Sequence, residues 1–279
     1  LNSFGCGLDA VVTDQVQEIM HQRGRLYTCL KIDQSLNLGA VRIRLRSLKA
    51  AIEERGEEAG SAKPIEYPKA VFTEAMKRDK DYTILAPEMS PIHFPISEAA
   101  VQREGYHIEI IPPIHEDIDK GLSCVNNDAC YPAIITIGSL MRALTSGKYD
   151  LSKTAVMLSQ TGGMCRASNY VGFLHKALDE AGLSDIPVIS LNTHGFEPQP
   201  GFHFSLSMGR RMIQAVIYGD ALQQCLYRTR PYEKEPGSAE TLCRSWQKRC
   251  IEAILSGESY TSYKKNIAGI IQDFDRLPL

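Results

Sequence analysis

Hydrophobic and polar positions alternate with helical spacing in two stretches near the start of the chain. Apolar residues recur every three or four positions over 13–22 and again over 38–54, which predicts two helices. The first should end at Gly24, and the apolar run 26–32 between the two predicts a strand. We interpret residues 1–55 as the end of a preceding α/β unit.

The next stretch, 56–68, is rich in Gly, Glu, Ala, Ser and Pro and predicts a linker. Over 69–203, short apolar runs alternate with amphipathic stretches, so this segment predicts an α/β domain with a parallel sheet and helices on both faces, Rossmann-like or flavodoxin-like. The predicted strands are 82–86, 106–111, 154–159 and 188–191, and the predicted helices are 95–104, 133–144 and 167–181.

From residue 204 to residue 279 the pattern is helical. Three helices are predicted, at 204–227, 239–255 and 259–274. The first carries a broad apolar stripe, from which we expect it to pack across the sheet or between lobes. The residues of this stripe are Ile213, Val216, Ile217 and Leu222.

Composition narrows the class of protein. Of 279 residues, 43% are hydrophobic and 23% are charged, with a formal net charge of −2, which suits a globular protein without a surface for polyanions. The one basic cluster, in 42–46, is too small to indicate nucleic-acid binding. No apolar run approaches the ~20 residues of a membrane span, and no secretion signal is seen. We therefore predict a cytoplasmic protein, and its ends suggest a piece of a longer polypeptide.

Two of the eight cysteines stand where a parallel sheet presents ligands. Cys130 and Cys165 each follow a predicted strand and open a predicted helix. The positive end of a helix stabilises a thiolate, which is the form that binds metals, attacks electrophiles or exchanges disulfides. Backbone N–H groups of Gly162 and Gly163 could donate to the sulfides of an iron–sulfur cluster.

The remaining cysteines are open to a plainer interpretation, because free cysteine often serves as a small buried hydrophobe. We assign Cys29, Cys225, Cys243 and Cys250 to core or surface positions, favour the same for Cys124, and leave Cys6 undecided between two glycines. Structural disulfides are disfavoured in a reducing compartment, and the absence of a C-x-x-C pair argues against a zinc ribbon.

Other chemistry-bearing motifs are weak or missing. Residues 5–10 match the dinucleotide pattern G-x-G-x-x-[GA], but no preceding strand is present to support it. The chain has no H-E-x-x-H, G-x-S-x-G or Walker sequence. No complete active site is identified, so whether the chain is itself an enzyme stays open and catalytic residues are unassigned.

Five motifs taken together resemble a known family. They are NSFGCGLDAV at 2–11, MSPIHF at 89–94, NNDACYP at 126–132, QTGGMCRASNY at 160–170 and RTRPYE at 228–233. In this order they are similar to the long-form acyl-CoA dehydratase activases, relatives of the 2-hydroxyglutaryl-CoA dehydratase activator. The resemblance covers most of the chain and corresponds to the region similar to the iron–sulfur dehydratase subunits.

The resemblance implies an iron–sulfur module that delivers low-potential electrons, driven by ATP, to a 2-hydroxyacyl-CoA dehydratase in an anaerobe. It implies a [4Fe–4S] cluster held by three cysteines, here Cys130, Cys165 and Cys6, with ATP bound by ATPase modules outside this sequence. The alternative is a non-catalytic docking or CoA-ester-binding module without a cluster. The dehydratase and the ATPase modules are the expected partners, with no nucleic acid and no membrane.

Overall fold

The computed structural model describes residues 8–30, 38–55, 69–125, 129–160, 170–192 and 199–278. Helices and strands alternate through the middle of the chain and give way to three long helices at its end. In chain order the elements are α1 (Leu8–Gln22), α2 (Leu38–Arg55), α3 (Glu74–Arg78), β1 (Thr83–Pro87), α4 (His93–Gln102), β2 (Ile108–Ile111), α5 (Glu116–Cys124), α6 (Tyr131–Thr145), β3 (Thr154–Gln160), α7 (Tyr170–Glu180), β4 (Val188–Asn192), α8 (Leu206–Thr229), α9 (Ser238–Ser256) and α10 (Tyr260–Asp275).

The four strands form one parallel sheet in the order β2-β1-β3-β4. Ile84 of β1 is level with Ile108 of β2, and Thr83 is level with Thr154 of β3. The central strand β1 is almost wholly buried, as expected for a strand covered on both faces. The predicted α/β fold with a parallel sheet is therefore confirmed. Its strand order changes direction between β1 and β3, which is where open α/β sheets bind ligands.

Two local predictions are wrong. The described part of the predicted strand 26–32, residues 26–30, is neither helix nor strand. Between the predicted strand 106–111 and the predicted helix 133–144, where no element was predicted, the structure has α5, a nine-residue helix. The periodicity of α5 was hidden because its buried positions are Asp117 and Gly121 rather than apolar side chains. The other predicted helices and strands are present, with ends that differ by a few residues.

The chain divides into two compact units, each built from segments distant in sequence. One comprises 1–70, 114–146 and 158–197, and the other 71–113, 147–157 and 198–279. The domains predicted from the sequence, with boundaries at 55, 68 and 203, are instead continuous segments of the chain. The predicted linker 56–68 lies outside the described residues. That division of the chain therefore stays a prediction.

The second unit, which we call the C-terminal unit because it includes residues 198–279, contains a helical core in which α8 packs against α4, α9 and α10. The buried face of α8 consists of Met208, Ala215, Tyr218, Leu222 and Leu226. Of the stripe predicted from the sequence only Leu222 is buried, while Ile213, Val216 and Ile217 are exposed. The choice of packing face was wrong because α8 has two apolar faces.

Close approach of α4 and α8 depends on a glycine. A Cβ at Gly219 would overlap the ring of His93, the first residue of α4. The ring of His93 in turn bonds through Nε2 to Oδ1 of Asp220, at 3.0 Å. Glycine at 219 therefore brings α8 against the start of α4 and holds the imidazole in one place.

The other unit contains a still closer contact, between the backbones of α5 and α6. A Cβ at Gly138 would overlap the carbonyl oxygen of Asp117, and a Cβ at Gly121 would overlap the carbonyl oxygen of Ile134. Since carbonyl groups inside helices cannot rotate away, the two helices tolerate no side chain at either position. This contact sets the position of α6.

A buried ion pair joins the same two helices. The carboxylate of Asp117 is fully buried and is bonded by the guanidinium of Arg142 on α6. It also accepts the backbone N–H of Ile114, at 2.8 Å, just before α5. The one carboxylate thus accepts a backbone N–H at the start of α5 and pairs with a guanidinium. A buried charge needs such partners, because it has lost its contact with water.

We expect Gly138→Ala to destabilise the protein by at least about 3 kcal/mol, because the new methyl group can be accommodated only by moving α5 away from α6. The matched control is Gly172→Ala in α7, where a Cβ meets nothing within 4 Å. That control should stabilise by about 0.5–1 kcal/mol through helix propensity. Urea unfolding of both variants measures the difference, and equal stabilities would contradict the close contact.

Asp117→Asn should lower the free energy of unfolding by about 3 kcal/mol, because it replaces a fully buried carboxylate that pairs with Arg142 by a neutral amide. Glu53→Gln is the comparison. It breaks a pair with Lys49 on α2 in which both side chains are largely exposed, and it should cost less than about 0.5 kcal/mol. Thermal or urea unfolding distinguishes the two, and a small effect at Asp117 would show that the pair is dispensable.

Candidate metal centre

Cys130 is the N-cap residue of α6. Its backbone is extended, with φ −69° and ψ 151°, and its carbonyl oxygen accepts the N–H of Ile134 at 3.1 Å. Pro132 stands in the first turn, where no backbone donor is needed. The helix therefore begins directly after the cysteine, as the sequence predicted, and the Cys130 side chain is half-buried.

A hydrogen bond holds the thiol against a second helix. Cys130 Sγ lies 3.0 Å from the Oη of Tyr170, the first residue of α7. Tyr170 is 5% exposed, so packing holds its ring in place. Helices α6 and α7 are also in direct contact. The sulfur is thus fixed where the starts of two helices meet.

The start of α6 gives this point a positive electrostatic potential. The unpaired N–H groups in the first turn of α6 carry the positive end of the helix dipole. The first turn holds no acidic residue that would offset this potential. Partial exposure also leaves the sulfur accessible, which metal binding requires.

The other predicted site residues, Cys6, Cys165, Gly162 and Gly163, lie outside the described residues. Cys130 is therefore the only one of the five whose surroundings can be described. Among the residues that the structure does describe, no group of three or more His, Cys, Asp or Glu side chains is arranged to hold a metal ion. Only one of the three predicted cysteine ligands, Cys130, is among those residues.

Other cysteines, which were assigned to core or surface positions, have more apolar surroundings than Cys130. Cys243 and Cys250 lie on α9 and are buried among apolar side chains of the C-terminal unit. Burial raises the pKa of the Cys243 thiol to about 11 and that of Cys250 to about 12. Burial also raises the pKa of the half-buried Cys225. Of the core or surface positions predicted for these cysteines, Cys243 and Cys250 occupy core positions, which makes them poor candidates for metal ligands.

Tyr170 is a residue of the site that the sequence did not identify. It belongs to the motif at 160–170 but was given no role, because no local pattern reveals a partner 40 positions away. Its position as the first residue of a helix beginning after a cysteine-containing loop was the available signal.

The loop after β1 contains a hydrogen-bonded chain of side chains. Ser90 Oγ lies 2.8 Å from His93 Nδ1, and the same ring reaches Asp220. The carbonyl oxygen of Ser90 also accepts the N–H of Phe94, at 3.0 Å. Ser90 therefore precedes α4 and orients the ring of His93, while the N-cap residue itself, Ile92, forms no side-chain cap bond. This arrangement accounts for the serine and the histidine structurally.

No protein-family model, no curated protein and no solved structure matches the chain. Within the residues described here, no helix is both long and apolar enough to cross a membrane. The functional assignment therefore depends on the surroundings of Cys130 and on the sequence motifs around it.

Proposed function

We propose that this chain is an iron–sulfur module in which Cys130, Cys165 and Cys6 hold a [4Fe–4S] cluster. It would pass low-potential electrons to a 2-hydroxyacyl-CoA dehydratase in the cytoplasm of an anaerobe. ATP would be bound and hydrolysed by modules outside this sequence. The dehydratase and the ATPase modules are taken from the family resemblance and are part of the proposal.

The observation that carries the proposal is the environment of Cys130. Cys130 is the half-exposed N-cap residue of a fifteen-residue helix, and its sulfur bonds to the hydroxyl of a buried tyrosine at the start of a second helix. Iron–sulfur clusters bind cysteine thiolates, and their potentials respond to hydrogen bonds made to sulfur. Cys130 therefore fits a cluster ligand better than the buried Cys243 and Cys250 do.

The chain constrains how far Cys165 can lie from this point. It precedes Tyr170 by five residues, and five residues of fully extended chain span at most about 18 Å. Tyr170 Oη touches the sulfur of Cys130. We therefore propose that the Cys165 thiolate lies within this reach of Tyr170; in the chain Cys165 follows β3, a strand at the switch point of the sheet.

The protein would contribute orientation and electrostatics, while a bound cluster would supply the one-electron chemistry. The Tyr170 hydroxyl would donate to the ligand sulfur of Cys130. Backbone N–H groups of Gly162 and Gly163 are the proposed donors to cluster sulfides. Each donor lowers the electron density on sulfur and so raises the reduction potential.

Anaerobic reconstitution with iron and sulfide tests the proposal. We expect brown protein that binds about four iron atoms per chain and whose visible absorbance bleaches on reduction. Cys130→Ser should lose the cluster with little change in unfolding, since this thiol does not fill a core. Iron analysis and visible spectroscopy measure the loss.

Cys243→Ser serves as the control for nonspecific loss of iron. It should retain the iron content even if it is less stable, because its thiol lies in an apolar core. Wild-type protein that stays colourless and iron-free under strictly anaerobic reconstitution would overturn the redox proposal and favour a docking or CoA-ester-binding module. Equal iron content in Cys130→Ser and wild type would remove Cys130 from the ligand set.

Tyr170→Phe tests the hydrogen bond without removing a ligand. The ring keeps its packing, so the iron content should stay unchanged. The midpoint potential, measured by an anaerobic dye titration followed by electron paramagnetic resonance, should become more negative because one donor to sulfur is lost. An unchanged potential would show that Tyr170 does not bond the ligating sulfur.

A further inference from the structure

The C-terminal unit contains a cavity of about 630 Å³ beside α8, far along the chain from the cysteine loops. It runs between the first half of α8 and the start of α10. Its apolar walls come from Phe204, Leu206, Ile213, Ile217 and Tyr260. The volume falls within the range of small-molecule sites, about 300–1,000 Å³.

The walls are exposed to an unusual degree for side chains of this type. Leu206 is 97% exposed and Ile213 is 63% exposed. With Arg210 and Ile217 they occupy positions i, i+4, i+7 and i+11 of one helix, so all four share a face. A continuous apolar face with one cation in it indicates a binding surface rather than scattered surface residues.

The hydroxyl of Tyr263, in the wall of the cavity, is buried and forms no hydrogen bond within the described part of the chain. Gln214, a second residue of the wall, is 7% exposed. An unsatisfied buried polar group costs free energy, so such groups are retained where a ligand satisfies them.

The cavity also has a positively charged side chain at its edge, that of Arg210. Arg210 also borders two smaller cavities, and among the described residues its guanidinium forms no ion pair. Its neighbour Arg211 is different, because it is paired with Glu104 on the other side of the helix. Arg210 is therefore available for an anion from outside the chain.

We propose that this cavity binds a small organic carboxylate with an apolar tail. The carboxylate would pair with Arg210, whose planar guanidinium matches it in two hydrogen bonds. The tail would cover Leu206, Ile213 and Ile217, and the amide of Gln214 would donate to the head group. A compact polar anion such as phosphate would leave those apolar side chains in water. This site shares no residue with the proposed cluster site and does not depend on it.

Isothermal titration calorimetry tests the proposal with decanoate, kept below its micellar concentration, as the probe. Decanoate should bind one site per chain. Decan-1-ol, which has the tail without the charge, and acetate, which has the charge without the tail, should each bind at least about tenfold more weakly. Equal binding of decanoate and decan-1-ol would overturn the role of the charge.

Three variants separate the site from nonspecific effects. Arg210→Gln should weaken decanoate binding about tenfold or more, whereas Arg228→Gln, an exposed arginine of the same helix outside the cavity, should not change it. Gln214→Leu should weaken decanoate binding, because it removes the proposed donor to the head group, without lowering the melting temperature of the ligand-free protein. A lowered melting temperature would mean that Gln214 is structural.

Two results would overturn the proposal altogether. The first is the absence of saturable decanoate binding by the wild-type protein. The second is a wild-type dimer in analytical ultracentrifugation that Ile217→Gln converts to monomer, which would identify the apolar face as a contact between two copies of the chain. A monomeric wild type that binds decanoate, and loses it in Arg210→Gln, supports the site.

Discussion

Contact between helices at glycine positions is the constraint on which both compact units depend. In one unit, Gly121 and Gly138 let the backbones of α5 and α6 touch. In the other, Gly219 admits the ring of His93, and Gly269 of α10 admits the indole of Trp246 on α9. Each contact fits a helix to the shape of its neighbour. At Gly121 and Gly138, where the neighbouring atoms are backbone carbonyls, an added methyl group would require a helix to move.

These contacts also determine where chemistry is exposed. The α5–α6 contact sets the start of α6, so that its cap residue Cys130 meets the first residue of α7. The contact at Gly219 turns one face of α8 toward α4. The opposite face, which carries Leu206, Arg210, Ile213 and Ile217, is therefore left outward. The thiol site and the apolar cavity are thus consequences of helix packing rather than of the sheet itself.

Sequence periodicity predicted the sheet well because a buried parallel strand is a short apolar run between turn signals. It failed at α5, whose buried face is a carboxylate and a glycine. On α8 it failed differently, since both Leu222 and Ile213 belong to apolar faces. Hydrophobicity alone does not choose between two such faces. The buried face is the one that has a small residue where the partner helix crosses. That position depends on both helices and cannot be found from the sequence of one of them.

Of the candidate site, the sequence predicted the cysteine but not the residue that contacts it. A cysteine that opens a helix after a strand can be identified from sequence, and Cys130 is found in that position. Its tyrosine partner was not predictable, because nothing local to Tyr170 encodes a contact with residue 130. Cys250 was assigned to a core or surface position, and periodicity did not decide between the two. Cys130 is the N-cap residue of a helix and is in partial contact with water, whereas burial raises the pKa of the Cys250 thiol to about 12. A thiol held protonated in an apolar core cannot serve as a ligand, so helix packing selects which cysteines are available for the proposed redox chemistry.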